Sequence, residues 1–176
     1  MRKLFSCLLF LLSISTFSQI AWTSSFENAQ KLAIATDRLI LVDFWATWCG
    51  PCKKMESESW SDDEIQKLSQ GYVPLKVDLD KRTQLARRYG VNAIPLLLVI
   101  DSSGELVYKK LGYMDKRQLS KILKKYAINT SFMRAESLNY FKHQTYSSGL
   151  RLAKKYIDFS QYLKEGIQFE FLELAS

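Results

Sequence analysis

From Leu39 to Trp45 the chain runs Leu-Ile-Leu-Val-Asp-Phe-Trp, apolar throughout apart from Asp43. A β-branched and aromatic run of this length reads as a strand buried on both faces. Pro95 to Ile100 gives a second continuous apolar run, and Tyr72 to Val77 alternates as a third strand. Asp101-Ser102-Ser103-Gly104 is a turn, so Glu105 to Lys109 reads as the return strand of a hairpin. Helical signals fill the intervals. Ser24 and Glu27 form a capping box before a helix reaching Thr36, with Phe26, Ala29 and Ala33 as its apolar stripe. A helix follows from Pro51 to about Ser59. Ser61-Asp62-Asp63-Glu64 caps another to Ser69, and Gly71 ends it. Arg82 to Tyr89 is a short helix stopped by Gly90. Asp115 caps a last helix with Leu119, Ile122, Leu123 and Tyr126 on one face. The order α-β-α-β-α-β-β-α predicts an α/β domain, a central mixed four-stranded sheet with helices on both faces. Alternation with helices favours parallel pairing of the first strands; the tight turn makes the last pair antiparallel.

The two ends of the chain stand apart from this pattern. Arg2 and Lys3 precede an apolar run from Leu4 to Phe17, with small residues Thr16 and Ser18 before Gln19. Residues 1–18 therefore read as a signal peptide. The run is shorter than the ~20 residues of a membrane span, so the alternative, an uncleaved anchor, is disfavoured. Lipidation at Cys7 is disfavoured too, because the apolar region continues past it. Residues 19–127 hold the α/β pattern. Residues 128–176 read as a C-terminal extension of helical character. Leu150, Ala153 and Ile157 suit one helix face, and Leu163, Ile167, Phe171 and Leu174 suit another. The alternation of Ile167, Phe169 and Phe171 also admits a strand.

Composition supports one packed domain with a small appendage: 176 residues, 47% hydrophobic and 13% aromatic. The formal charge is +7, and loss of Arg2 and Lys3 with the signal lowers it to +5. Basic residues are interspersed with acids, which gives no basis for nucleic-acid binding. Of three cysteines, removal of the signal leaves two, Cys49 and Cys52. In an oxidising compartment a single close pair avoids wrong pairings.

Trp48-Cys49-Gly50-Pro51-Cys52 lies where the first strand gives way to a helix. A helix N-terminus stabilises a thiolate through its dipole and free N–H groups, which makes Cys49 the candidate nucleophile and, as the first of the pair, the more exposed. Cys52, one turn further in, would resolve the mixed disulfide. A purely structural disulfide is the competing reading, but so short a loop removes little chain entropy. A zinc site would lack ligands, since His143 is the only histidine. No metal or other cofactor is expected. His143 itself reads as a surface residue. Asp43 is either a buried carboxylate with a raised pKa or an acid turned out to water.

The segment Val42-Asp43-Phe44-Trp45-Ala46-Thr47-Trp48-Cys49-Gly50-Pro51-Cys52-Lys53 closely resembles the active-site segment of thioredoxins. Tyr89-Gly90-Val91 with Ala93-Ile94-Pro95 resembles the stretch carrying that family's cis-proline, and Gly112 resembles the glycine after its hairpin. The resemblance covers roughly residues 24–127 and implies a thioredoxin-like fold. Cys52-Lys53-Lys54-Met55-Glu56, Trp60-Ser61-Asp62 and Pro74 to Asp78 look like exported bacterial members, a set that includes the C-terminal domains of membrane thiol–disulfide reductases. Two features depart: Leu96 stands after the proline where threonine is usual, and the extension has no counterpart in a minimal thioredoxin.

The resemblance implies an exported, periplasmic thiol–disulfide oxidoreductase. It would act on protein disulfides, draw electrons from a membrane-bound donor and touch the membrane itself only if the signal is retained. Asp43 would assist proton transfer at Cys52, with Lys76 paired near it. Gly50 and Pro51 help set the redox poise and lean towards reduction. Trp48, Gly50, Pro51, Ile94, Pro95 and Gly112 would form the surface that meets substrate, with a cis Ile94–Pro95 bond facing the cysteines. Trp45 is expected in the core. Oxidation or isomerisation of disulfides, or non-catalytic docking of a partner, are the alternatives.

Overall fold

A computed structural model of the chain describes residues 19–160. The signal at 1–18 and the stretch from Leu163 to Leu174 lie outside the described residues. The elements are α1 (Phe26–Thr36), β1 (Ile40–Trp45), α2 (Gly50–Met55), a π-helical turn (Glu56–Trp60), α3 (Asp63–Ser69), β2 (Val73–Asp78), α4 (Thr83–Arg88), β3 (Leu96–Ile100), β4 (Leu106–Leu111), α5 (Lys116–Tyr126), a 3-10 turn (Ser131–Met133), α6 (Arg134–His143) and α7 (Tyr146–Ser160).

The four strands form one mixed sheet in the order β2-β1-β3-β4. β1 pairs with β2 in parallel; β3 is antiparallel to both β1 and β4. The favoured parallel pairing thus holds for β1 and β2 but not for β3. The connection through α4 brings the chain into β3 from the end at which it left β2.

The pleat divides the core. Ile40, Val42 and Phe44 of β1 face α1 and α4, in a cluster with Ala29, Ala33 and Ala86. Leu39 and Leu41 face the other side, with Met55, Trp60, Ile65, Leu119, Leu123 and Tyr126. Asp43 has the parity of this second face and points to the α2 side.

Two caps sit one residue later than the sequence signals place them. Thr23 forms a parallel bridge to Leu75, donating to Pro74 O at 2.9 Å and accepting from Lys76 N at 2.9 Å. This keeps the chain extended, so Ser25 rather than Ser24 caps α1, accepting from Asn28 N. Ser61 donates its hydroxyl to Ser57 O at 2.6 Å and is thereby taken up by the preceding turn; Asp62 caps α3 instead. Asp115 caps α5 in a full box with Gln118.

The described part of the extension, to Ser160, is helical, but its buried face is not the expected one. Leu152 and Tyr156 enter the core with Ser148, whereas Leu150 and Ile157 are about half exposed. α7 carries two apolar stripes, and only contact with the domain selects between them. Two carboxylates anchor the extension. Asp37, in the left-handed conformation that ends α1, pairs with Arg134, and its carbonyl accepts from Thr130 N at 2.9 Å. Buried Asp101 accepts the Tyr156 hydroxyl, the Ser103 hydroxyl at 2.8 Å and Glu105 N at 2.7 Å. Burial pushes the Asp101 carboxyl up to about 6. Asp37 precedes β1 and Asp101 follows the antiparallel β3, so both lie at the end of the sheet away from the cysteines.

Candidate active site

β1 ends at Trp45, and the turn that follows delivers Cys49 as the N-cap of α2. Pro51 falls in the first turn of α2, where a missing N–H costs nothing, and Gly50 sits in open space. Cys49 and Cys52 are joined as a disulfide. The Cys49 sulfur also accepts the Cys52 N–H at 3.2 Å, a donor that would equally stabilise a Cys49 thiolate. Contrary to the expected difference in exposure, both cysteines are buried, Cys49 at 3% and Cys52 at 6%. The bond folds the Cys49 sulfur back onto the helix end, where Ala46, Trp45 and Ile94 pack against the pair. Trp45 is correspondingly not a core residue. It is half-buried, packed against the cysteines with the Lys76 ammonium 5.1 Å over its ring.

Asp43 is buried on β1, directly across the ladder from Lys76 on β2. Both line a cavity of about 200 Å³ with Trp45, Cys52, Lys53 and Glu56. Asp43 and Cys52 thus open onto one cavity that is large enough to admit water. Burial pushes the Asp43 carboxyl up to about 7; Lys76 opposes that rise and Glu56 adds to it. The direct partner of the Lys76 ammonium is the Glu56 carboxylate rather than Asp43. Glu56 was missed by sequence reasoning. Its only signal is its place one turn beyond Cys52, and its partner is set by the packing of the π-helical turn against β2.

On the other side of the pair the Ile94–Pro95 peptide is cis. The Pro95 carbonyl accepts from Gly112 N at 2.8 Å. Gly112 has φ +94°, a left-handed conformation that favours glycine, so the β4 end can close onto the proline loop. Ile94 packs against the cysteines. Trp48 is 66% exposed, and its indole N–H forks onto the Asp80 carboxylate at 3.1 and 3.2 Å. Asp80 is held in turn by its own N–H on Asp78 Oδ1 at 3.0 Å. It too escaped sequence reasoning, since only the fold brings the loop after β2 to Trp48. Leu111, next to Gly112, is also exposed. His143 is exposed in the last turn of α6, remote in sequence from every residue above.

A profile for the thioredoxin-like domain matches residues 26–127. The chain belongs to the thioredoxin-like family. Its members include thioredoxin-1 of Drosophila melanogaster, 36% identical over 96 residues, which cover 54% of this chain and 86% of that one. Thioredoxin of Listeria monocytogenes is 37% identical over 92 residues, covering 52% and 85%. Among solved structures, a candidate disulphide-isomerase from Bacteroides thetaiotaomicron superposes with a TM-score of 0.54 at 39% identity, over 61% of this chain and 92% of that one. Family membership and the closed Cys49–Cys52 pair make the chain a thiol–disulfide oxidoreductase. Residues 128–160, with α6 and α7, lie beyond the matched domain.

Proposed function

We propose that this oxidoreductase is exported and reduces disulfides in protein substrates, drawing its electrons from a membrane-bound donor. The observation that carries the reading is the Cys49–Cys52 disulfide at the start of α2, closed over Gly50-Pro51 and opening inward onto the Asp43 cavity. In the reduced protein the Cys49 thiolate attacks a substrate disulfide. A Cys49–substrate bond forms, the substrate S–S bond breaks and one substrate thiolate leaves. Asp43, ionised, takes the proton of Cys52 through the cavity. The Cys52 thiolate then attacks Cys49, the mixed disulfide breaks and the second substrate thiolate departs. Two electrons have passed to the substrate; the donor must return two electrons to the disulfide, and Asp43 gives its proton back to Cys52. A carboxyl poised near pH 7 suits a group that takes and returns a proton in each cycle.

Trp48, Gly50, Pro51, Ile94, Pro95 and Gly112 form the docking surface in this reading. The exposed indole and the proline loop flank the pair, with Gly112 holding the loop from behind. Export is supported by the character of residues 1–18 and by the lone pair left once they are removed. Cys49→Ser should abolish disulfide reduction of insulin; retained turnover would end this proposal.

A second reading, isomerisation, is favoured by the Bacteroides relative. An isomerase would restore activity to scrambled ribonuclease without net reduction. A reductase would need its donor in stoichiometric supply.

A further inference from the structure

Lys76 is the one cation directly across the sheet from Asp43, yet nothing on β2 fixes where its long side chain ends. Three groups do so from outside. The Glu56 carboxylate accepts its ammonium from the π-helical turn. The Trp45 ring lies beneath it at 5.1 Å. The Trp22 ring lies against it at 5.4 Å. Trp22 precedes α1, on the segment that Thr23 fastens to β2. Its ring meets Trp60 edge-on, with centroids 5.0 Å apart and planes at 89°. Trp60 closes the same turn that Glu56 opens. Trp22 thus bears on the ammonium directly and on the turn presenting its counter-ion. The Lys76 side chain is left 19% exposed.

We propose that Trp22 is a positioning residue for proton exchange at the cysteine pair, holding the Lys76 ammonium at the mouth of the Asp43 cavity. A cation over an indole face is attracted by the ring and screened from water on that side. Without the ring, a flexible lysine stem lets the ammonium swing out to solvent. The charged groups facing Asp43 are Lys76 from β2, Glu56 from the turn and Lys53 from α2, which also lines the cavity. Of these, Lys76 favours the ionised carboxylate and Glu56 opposes it. Withdrawal of Lys76 therefore raises the midpoint at which Asp43 takes its proton.

The inference rests on Asp43 as the proton carrier, so the test reads Asp43 and turnover separately. The Asp43 carboxyl carbon is followed by NMR against pH in the oxidised full chain. Trp22→Leu should raise its midpoint by roughly 0.3 of a pH unit, and Trp22→Phe, which keeps a weaker ring face, by less. Lys76→Met should raise it as well, and adding Trp22→Leu to Lys76→Met should change nothing further. An unchanged midpoint in folded Trp22→Leu would overturn the inference. So would an equal shift in the Lys76→Met background. If Trp22→Leu fails to fold, Trp22→Phe is judged by the same two outcomes. The pH profile of insulin reduction separates the two layers. If the Asp43 midpoint moves and the profile does not, the positioning role stands and the proton-carrier reading fails.

Discussion

Asp43→Asn should stabilise the oxidised protein at pH 8 and leave its stability nearly unchanged at pH 4. In an unfolded chain the carboxyl titrates near 3.8; in the fold, burial moves it to about 7. Well below 3.8 the group is neutral in both states and costs nothing, and at pH 4 only about 0.5 kcal/mol of the penalty has developed. Between 3.8 and about 7 the folded state binds the proton more tightly, so stability falls as pH rises. Above pH 7 the full penalty of an ionised buried acid is present. A separation of about three pH units corresponds to about 4 kcal/mol. An asparagine of the same shape never ionises, so it escapes this penalty. The cavity beside it leaves its amide room to be hydrated. Urea unfolding of the oxidised wild type and variant at both pH values measures the difference directly. A gain of several kcal/mol at pH 8 that nearly vanishes at pH 4 is expected. Equal effects at the two pH values would refute the argument, because they would show that Asp43 does not change its proton on unfolding. On the proposed mechanism the same substitution should slow disulfide reduction, since it removes the group assigned there to carry the Cys52 proton. Stability and turnover are thus set against each other at one residue.

Glu56→Gln should lower the pH midpoint of Asp43, because it removes a raising charge and frees Lys76 to face the acid; carboxyl NMR reads the shift. Tyr156→Phe takes one donor from buried Asp101 and should cost about 1–3 kcal/mol in urea unfolding at pH 8. The loss should be smaller at pH 4, where Asp101 is neutral. Ser59→Ala removes a buried 2.7 Å hydrogen bond to the Met114 carbonyl, which joins the π-helical turn to the loop before α5, and should cost about 1–2 kcal/mol. Trp48→Phe loses the bond to Asp80 at an exposed site; it should raise KM for a protein disulfide while moving Tm little.

Much of this fold is legible because hydrophobic pattern and turn chemistry agree along the domain. β1 is an apolar run broken only by Asp43, and such a run can bury both faces only at the centre of a sheet, where the structure puts it. The cysteine pair stands out for the same reason: strand, turn and helix signals converge on five residues. Legibility fails where partners come from distant segments. Ser24 and Ser61 carry capping signals as good as those of Ser25 and Asp62. A bridge to Leu75 and a bond back to Ser57 decide between them. The direction of β3 depends on the path of the connection around α4, which the hydrophobic pattern does not fix. In α7 the stripe through Leu150 is as apolar as that through Leu152, and the surface of the domain breaks the tie. At the site, Lys76 lies across from Asp43 as β-pairing dictates, yet its ammonium goes to Glu56, a residue twenty positions away. Side-chain ends obey local packing, which no periodicity encodes.

The direction of electron flow is the central claim, and the reduction potential of the Cys49–Cys52 pair tests it most directly. The oxidised protein is equilibrated against graded dithiothreitol and glutathione buffers, and its free thiols are counted by alkylation. A pair that stays oxidised until the buffer is strongly reducing, with a midpoint near the roughly −270 mV of thioredoxins, is the predicted result. A midpoint near roughly −120 mV, the range of strong oxidants, would contradict it.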